Sequence, residues 1–172
     1  MLQALDLVVE RGVRVVNLSM AGPANLALER LIARLVAERG LVLVAAAGND
    51  GHQAPPLYPA AYAGVLAVTA VDRRGEVYRR AGRGAHIDFA APGVSVAAAA
   101  GRGMQGRTGT SFAAPFVAAA AALAAARDPA LQGEALVAAL AATARDLGAP
   151  GRDDVFGHGV PQLDKLCSAA GG

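Results

Sequence analysis

Seven consecutive apolar residues, Leu-Val-Leu-Val-Ala-Ala-Ala at positions 41–47, leave this chain few architectures. A strand with one solvated face alternates apolar and polar residues. A run without alternation belongs to a strand buried on both faces, as in a parallel sheet covered by helices on either side. The pattern recurs. VRVVNLS (13–19), GVLAVTAV (64–71), IDFAAPG (87–93) and VSVAAA (94–99) read as further strands rich in small and β-branched residues.

Helical stretches lie between them. The opening segment carries Leu2, Leu5, Val8 and Val9 at helical spacing and stops at Gly12. Asn25 is placed to cap a second helix whose apolar side is Leu28, Leu31, Ile32, Leu35 and Val36, and which Gly40 ends. An alanine-rich helix follows residue 110, another spans about 132–144, and a short one spans 161–167. Strands alternating with helices across short loops give an α/β domain with a largely parallel sheet. No repeat or long linker divides the 172 residues, so one domain is expected.

Composition excludes several functions. The chain is 54% hydrophobic with a mean hydropathy of +0.37, which suits a well-buried core. A net charge of +2 with scattered basic residues and no tryptophan gives no footprint for nucleic acid. The longest apolar run, 112–126, has 15 residues and contains Pro115, short of the roughly 20 that cross a bilayer, so no membrane span is expected. The single cysteine, Cys167, makes no internal disulfide. No targeting signal is visible after Met1, and the compartment stays open.

The chemistry concentrates in GRTGTSFAAPFVAAAAALAAA, residues 106–126, where Ser111 stands at the mouth of the alanine helix. A serine there is ordinarily a helix cap. Here Gly109 and Thr110 permit a sharp turn before it, Ala113 and Ala114 leave its hydroxyl unobstructed, and Pro115 reads as a first-turn residue. Backbone N–H groups at a helix start point at whatever the hydroxyl attacks, the setting an acyl-transfer nucleophile needs.

This segment resembles the nucleophile motif of the subtilisin-like serine proteases, Gly-Thr-Ser followed by a small pair and proline. Further segments resemble the family in its order: VVNLSMAGP, LVLVAAAGNDG, YPAAYAGVLAVTAVD, IDFAAPGVSV and the closing FGHGVPQLDKL. The resemblance implies a three-layer subtilisin-like fold with a mainly parallel sheet, of which this chain is the C-terminal portion, the N-terminal part of the domain being absent. It implies that Ser111 is the nucleophile of a serine endopeptidase and that Asn49 donates its side-chain N–H to the oxyanion. Ser19, Met20, Ala21 and Gly22 would add an extended polypeptide substrate as a strand, with Ala45, Ala46, Ala47 and Gly48 walling the adjoining pocket. Ala21 stands where the family usually has glycine, and Tyr58-Pro59 falls where relatives often have a cis proline. Arg79, Arg80 and Arg83 replace residues that are usually small and polar, and read as a solvated loop.

The family's aspartate and histidine motifs do not occur here, so the partners that activate the serine are expected outside this chain, on the N-terminal part of the same domain. His158 belongs to the closing segment, His52 and His86 to loops, and Asp72 and Asp88 to strand ends, so no base is assigned. No cofactor is expected. Structural calcium is common in relatives, but no acidic cluster here has the oxygen density to hold it. The alternative is a catalytically inactive pseudoprotease or peptide-binding module.

Overall fold

The computed structural model describes residues 1–168, and the side chain of Cys167, named above, lies outside the described residues. Four strands, β1 (Val15–Leu18), β2 (Val42–Ala46), β3 (Val65–Val71) and β4 (Ile87–Pro92), form one sheet in the order β1-β2-β3-β4, every neighbour parallel. The unbroken apolar run of β2, and that of β3 interrupted by Thr69 alone, are explained by what the side chains meet. Leu43, Ala45, Val65 and Ala67 pack with Leu5, Ile32 and Leu35 of α1 (Leu2–Glu10) and α2 (Leu26–Arg39). Val42, Val44, Ala46, Leu66, Val68 and Ala70 pack instead with Ala113, Val117, Ala120, Leu136, Leu140 and Leu166. These belong to α3 (Thr110–Arg127), α4 (Gly133–Thr143) and α5 (Leu163–Ser168). Strand alternation therefore sends successive residues to two different helical layers, neither of which is solvent.

Helix ends follow the sequence signals. Asn25 Oδ1 accepts the Leu28 N–H at 3.0 Å, and Gly40, at φ 60°, closes α2 in the left-handed conformation that glycine adopts without strain. The alanines of α3 let its axis approach the sheet, which it contacts along β1, β2, β3 and β4. By length and composition α3 is apolar enough to cross a membrane, but one side of it is this core.

One expectation needs correcting. VSVAAA does form a strand, β5 (Val96–Ala100), yet it lies outside the parallel sheet and pairs antiparallel with β6 (Gly103–Arg107), a strand that the residues GMQGR did not announce. The hairpin turns at Gly101-Arg102, with Gly101 at φ 57°. Both strands are largely exposed, and without burial a strand carries no hydrophobic pattern to read. The Tyr58-Pro59 bond is cis.

Candidate active site

The site is assembled at the C-terminal ends of the parallel strands, the end at which open α/β sheets place their ligands. β2 runs out through Ala47 and Gly48 into Asn49, β1 runs out into Ser19, and α3 begins at Thr110 and Ser111. Thr110, wholly buried, ties the first loop to the helix. Its N–H donates to Asn49 Oδ1 at 3.0 Å, and its Oγ1 accepts the Gly48 N–H at 3.2 Å. The Thr110 hydroxyl in turn reaches Gly48 O and Asn49 Oδ1, each at 3.3 Å.

This arrangement orients the Asn49 amide. With Oδ1 taken by Thr110, the Nδ2 donor is left over, and among the described residues nothing accepts from it. The Ser111 N–H, in the first turn of α3, likewise finds no acceptor among the described residues, as the geometry of a helix start dictates. Two donors are thus left unspent, one on the Asn49 side chain bonded to Thr110 and one on the backbone of the half-buried Ser111 that follows it.

The structure revises the position of Pro115. α3 starts at Thr110, so Pro115 is past the first turn and the bond it cannot make is the one to the carbonyl of Ser111. Ser19 fills that gap: its hydroxyl donates to Ser111 O at 2.8 Å, while Asn17 Nδ2 donates to Ser19 Oγ at 2.9 Å. The Ser111 hydroxyl donates to Ser19 O at 3.3 Å, which completes a reciprocal clasp between β1 and α3.

The other residues singled out from the sequence are distributed around this clasp. Met20 and Ala21 are exposed beside it. Gly22 has both backbone groups engaged by Tyr58, at 2.8 and 2.9 Å, so the open stretch of this segment ends at Ala21. Ala45, Ala46 and Ala47 have their methyl groups buried at 0–2% exposure, while Gly48 carries the bonds to Thr110. Arg80 is exposed, as a solvated loop requires, yet its Nε donates to Asn49 O at 3.1 Å.

None of the three histidines hydrogen-bonds Ser111 among the described residues. His52 is exposed; His86 Nε2 is buried without a partner, and burial lowers its pKa against the pull of Asp154. His158 packs its ring on Phe89, with centroids 5.6 Å apart. Asp72 caps its own turn by accepting the Arg74 and Glu76 N–H groups. Asp88 is the extra residue of a bulge between β3 and β4; its Oδ2 takes the Ala67 N–H at 2.9 Å, and Arg152 lies 3.7 Å from Oδ1. Both carboxylates are accounted for structurally. A cavity of about 620 Å³, lined by Leu41, Val42, Val65, Leu66 and the Asp88–Arg152 pair, opens at the opposite end of the strands and contains neither Ser111 nor Asn49. No group of three or more His, Cys, Asp or Glu able to hold a metal occurs among the described residues.

Comparison with known proteins shows the family and the fold. The subtilase family pattern matches residues 1–159. The minor extracellular protease Epr of Bacillus subtilis (strain 168) is 34% identical over 163 residues, covering 94% of this chain and 25% of that protein. Subtilisin DY of Bacillus licheniformis is 38% identical over 144 residues, covering 81% of this chain and 52% of that protein. The chain thus spans a quarter to about half the length of these relatives. Among solved structures, MycP1 with its N-terminal propeptide removed superposes at a TM-score of 0.81 with 27% identity, over 97% of this chain and 65% of that one. The psychrophilic subtilisin-like protease Apa1 from Pseudoalteromonas sp. AS-11 reaches the same TM-score at 17% identity, a likeness of fold, over 96% of this chain and 72% of that one.

Proposed function

Since the chain belongs to the subtilase family, we propose that it is the C-terminal portion of a single serine endopeptidase domain, with Ser111 as nucleophile and Asn49 as oxyanion donor. The Ser111 Oγ attacks the carbonyl carbon of a peptide bond as a base removes its proton. The carbonyl oxygen, now an anion, receives hydrogen bonds from the Ser111 N–H and Asn49 Nδ2. The tetrahedral adduct collapses to an acyl-enzyme as its C–N bond breaks and the leaving amine takes the proton from the base. Water, deprotonated by the same base, then attacks the acyl carbon, and the carboxylic acid leaves as the proton returns to Ser111 Oγ. The histidine that takes the proton and the aspartate that orients it belong to residues outside this chain. An extended polypeptide pairs with Ser19, Met20 and Ala21, whose exposed main chain reads no particular sequence, and Gly48 with the buried Ala45–Ala47 segment backs the pocket on the other side.

The observation that supports the reading is a pair of unspent donors, Ser111 N–H and Asn49 Nδ2, on residues joined through the Thr110–Asn49 hydrogen bond. Two surfaces support the expectation of an N-terminal part. Among the described residues β1 pairs along one edge alone, with β2, although Val15, Val16 and Leu18 give it the apolar character of an interior strand. Helix α3 is apolar all round, and Phe116 and Leu123 stand 41% and 39% exposed on the side away from the sheet. A helix of that composition is normally covered. Arg14, just before β1, donates to Ala125 O and Pro129 O and so ties the strand to the C-terminal end of α3.

The second reading, a peptide-binding module without catalysis, is favoured by one observation: no histidine or carboxylate hydrogen-bonds Ser111 among the described residues. A fluorophosphonate probe separates the two when applied to this chain and to a longer polypeptide carrying the family's aspartate and histidine. Labelling at Ser111 in the longer polypeptide alone supports the endopeptidase; no labelling in either supports the binding module.

A further inference from the structure

After β3 the chain turns back across the loop that carries Asn49, and three hydrogen bonds join the two segments. Gly82 N–H donates to Gly48 O at 3.1 Å, Gly51 N–H donates to Arg80 O at 2.9 Å, and between them Arg80 Nε donates to Asn49 O at 3.1 Å. The approach is backbone to backbone: a Cβ on Gly82 would stand 2.6 Å from Ala47 O. The main-chain bonds fix the loop at Gly48 and Gly51. The peptide between Asn49 and Asp50 is held by the arginine side chain.

Resting on the reading of Asn49 as oxyanion donor, we propose that Arg80 is a positioning residue for it, acting on the Asn49 carbonyl so that the side-chain amide stays docked on Thr110. A peptide plane anchored at its flanks alone can still rotate, and rotation about the Asn49 backbone swings Oδ1 away from the Thr110 N–H. A guanidinium opposes this well because its planar N–H groups are rigidly disposed and its charge strengthens the bond. Asp50, next along the loop, is exposed, and no carboxylate lies within ion-pair distance of Arg80 among the described residues, so the guanidinium is not drawn elsewhere.

Amide hydrogen exchange on this chain tests the restraint without recourse to activity. In Arg80→Ala the Thr110 amide, whose acceptor is Asn49 Oδ1, is expected to exchange about tenfold faster while the Ala67 and Val68 amides of β3 keep their rates. Arg80→Lys, which retains a charge without the fork, recovers part of the protection. Arg80→Met, which keeps the stem, repeats the test if the alanine variant folds poorly. An unchanged Thr110 rate in the folded variants overturns the proposal. In the longer polypeptide with its aspartate and histidine, Arg80→Ala is expected to lower kcat about tenfold with KM unchanged; a rise in KM at constant kcat overturns it as well. Absence of any hydrolysis by the unsubstituted polypeptide sinks the reading of Asn49, and the exchange rates still decide the role of Arg80.

Discussion

Thr110 and Thr69 are both 0% exposed, and the same substitution to valine should affect them in opposite directions. Thr110→Val removes the acceptor of the Gly48 N–H, and nothing else in the described residues replaces it. The other two contacts leave no orphan, because Gly48 O keeps the Gly82 N–H and Asn49 Oδ1 keeps the Thr110 N–H. One buried donor left unpaired costs about 1–3 kcal/mol. A central value of about 2 kcal/mol lowers the folded-to-unfolded ratio roughly 30-fold. With a urea m-value of about 2 kcal/mol/M, the midpoint falls by about 1 M. At Thr69 the hydroxyl is buried in β3 without a hydrogen-bond partner among the described residues, so valine exchanges an unsatisfied polar group for a methyl. Thr69→Val should leave the stability unchanged or raise it by at most about 1 kcal/mol, a rise of at most about 0.5 M in the midpoint. Urea unfolding followed by circular dichroism measures both. Equal midpoints for the two variants would refute the claim that Thr110 holds the nucleophile turn and the Asn49 loop together.

Gly82→Ala places a Cβ against the Ala47 carbonyl; a loss of about 2 kcal/mol is expected, seen calorimetrically as a fall of roughly 4–8 °C in Tm. Ser19→Ala should cost about 1 kcal/mol because Ser111 O loses its donor, and the cost should vanish in a Pro115→Ala background, where a restored N–H takes over; a double-mutant cycle reads the coupling. Asp88→Asn tests a linkage. Burial raises the Asp88 pKa above its ordinary 3.8, the Ala67 N–H and Arg152 opposing it. The folded state therefore binds the proton more tightly than the unfolded one, and that contribution is complete below 3.8 and lost as pH rises through the raised value. The stability of the parent relative to Asp88→Asn should decline over that window in urea titrations at successive pH values, and a difference that grows with pH would contradict the assignment.

The parallel sheet is legible because β2 and β3 are buried on both faces, and strands so placed are apolar throughout but for Thr69. Helix α2 was legible because Asn25 and Gly40 mark its ends chemically. The β5–β6 hairpin was obscured because its residues are exposed or alanine, and GMQGR carries no period; Gly101-Arg102, with glycine leading a two-residue link, was the available signal. Ser111 and Asn49 lie 62 positions apart and were paired through family resemblance, since nothing local in Gly-Asn-Asp distinguishes a donor loop from a turn. The bonds around them are not legible: nothing local in the sequence announces that Thr110 binds the Asn49 loop, that Ser19 binds Ser111 or that Arg80 binds the Asn49 carbonyl. Each acts through a bond between segments distant in sequence, and such bonds leave no periodic trace. Pro115 is ambiguous in the sequence because its meaning depends on which residue begins the helix, and α3 begins at Thr110.

The central claim is convergence of the Ser111 and Asn49 donors on one carbonyl oxygen, and a crystal structure of the longer polypeptide with a phosphonate bonded to Ser111 Oγ tests it directly. The phosphoryl oxygen should lie about 2.7–3.1 Å from both the Ser111 N–H nitrogen and Asn49 Nδ2. A phosphoryl oxygen turned to solvent, with Asn49 Nδ2 bonded elsewhere, would contradict it.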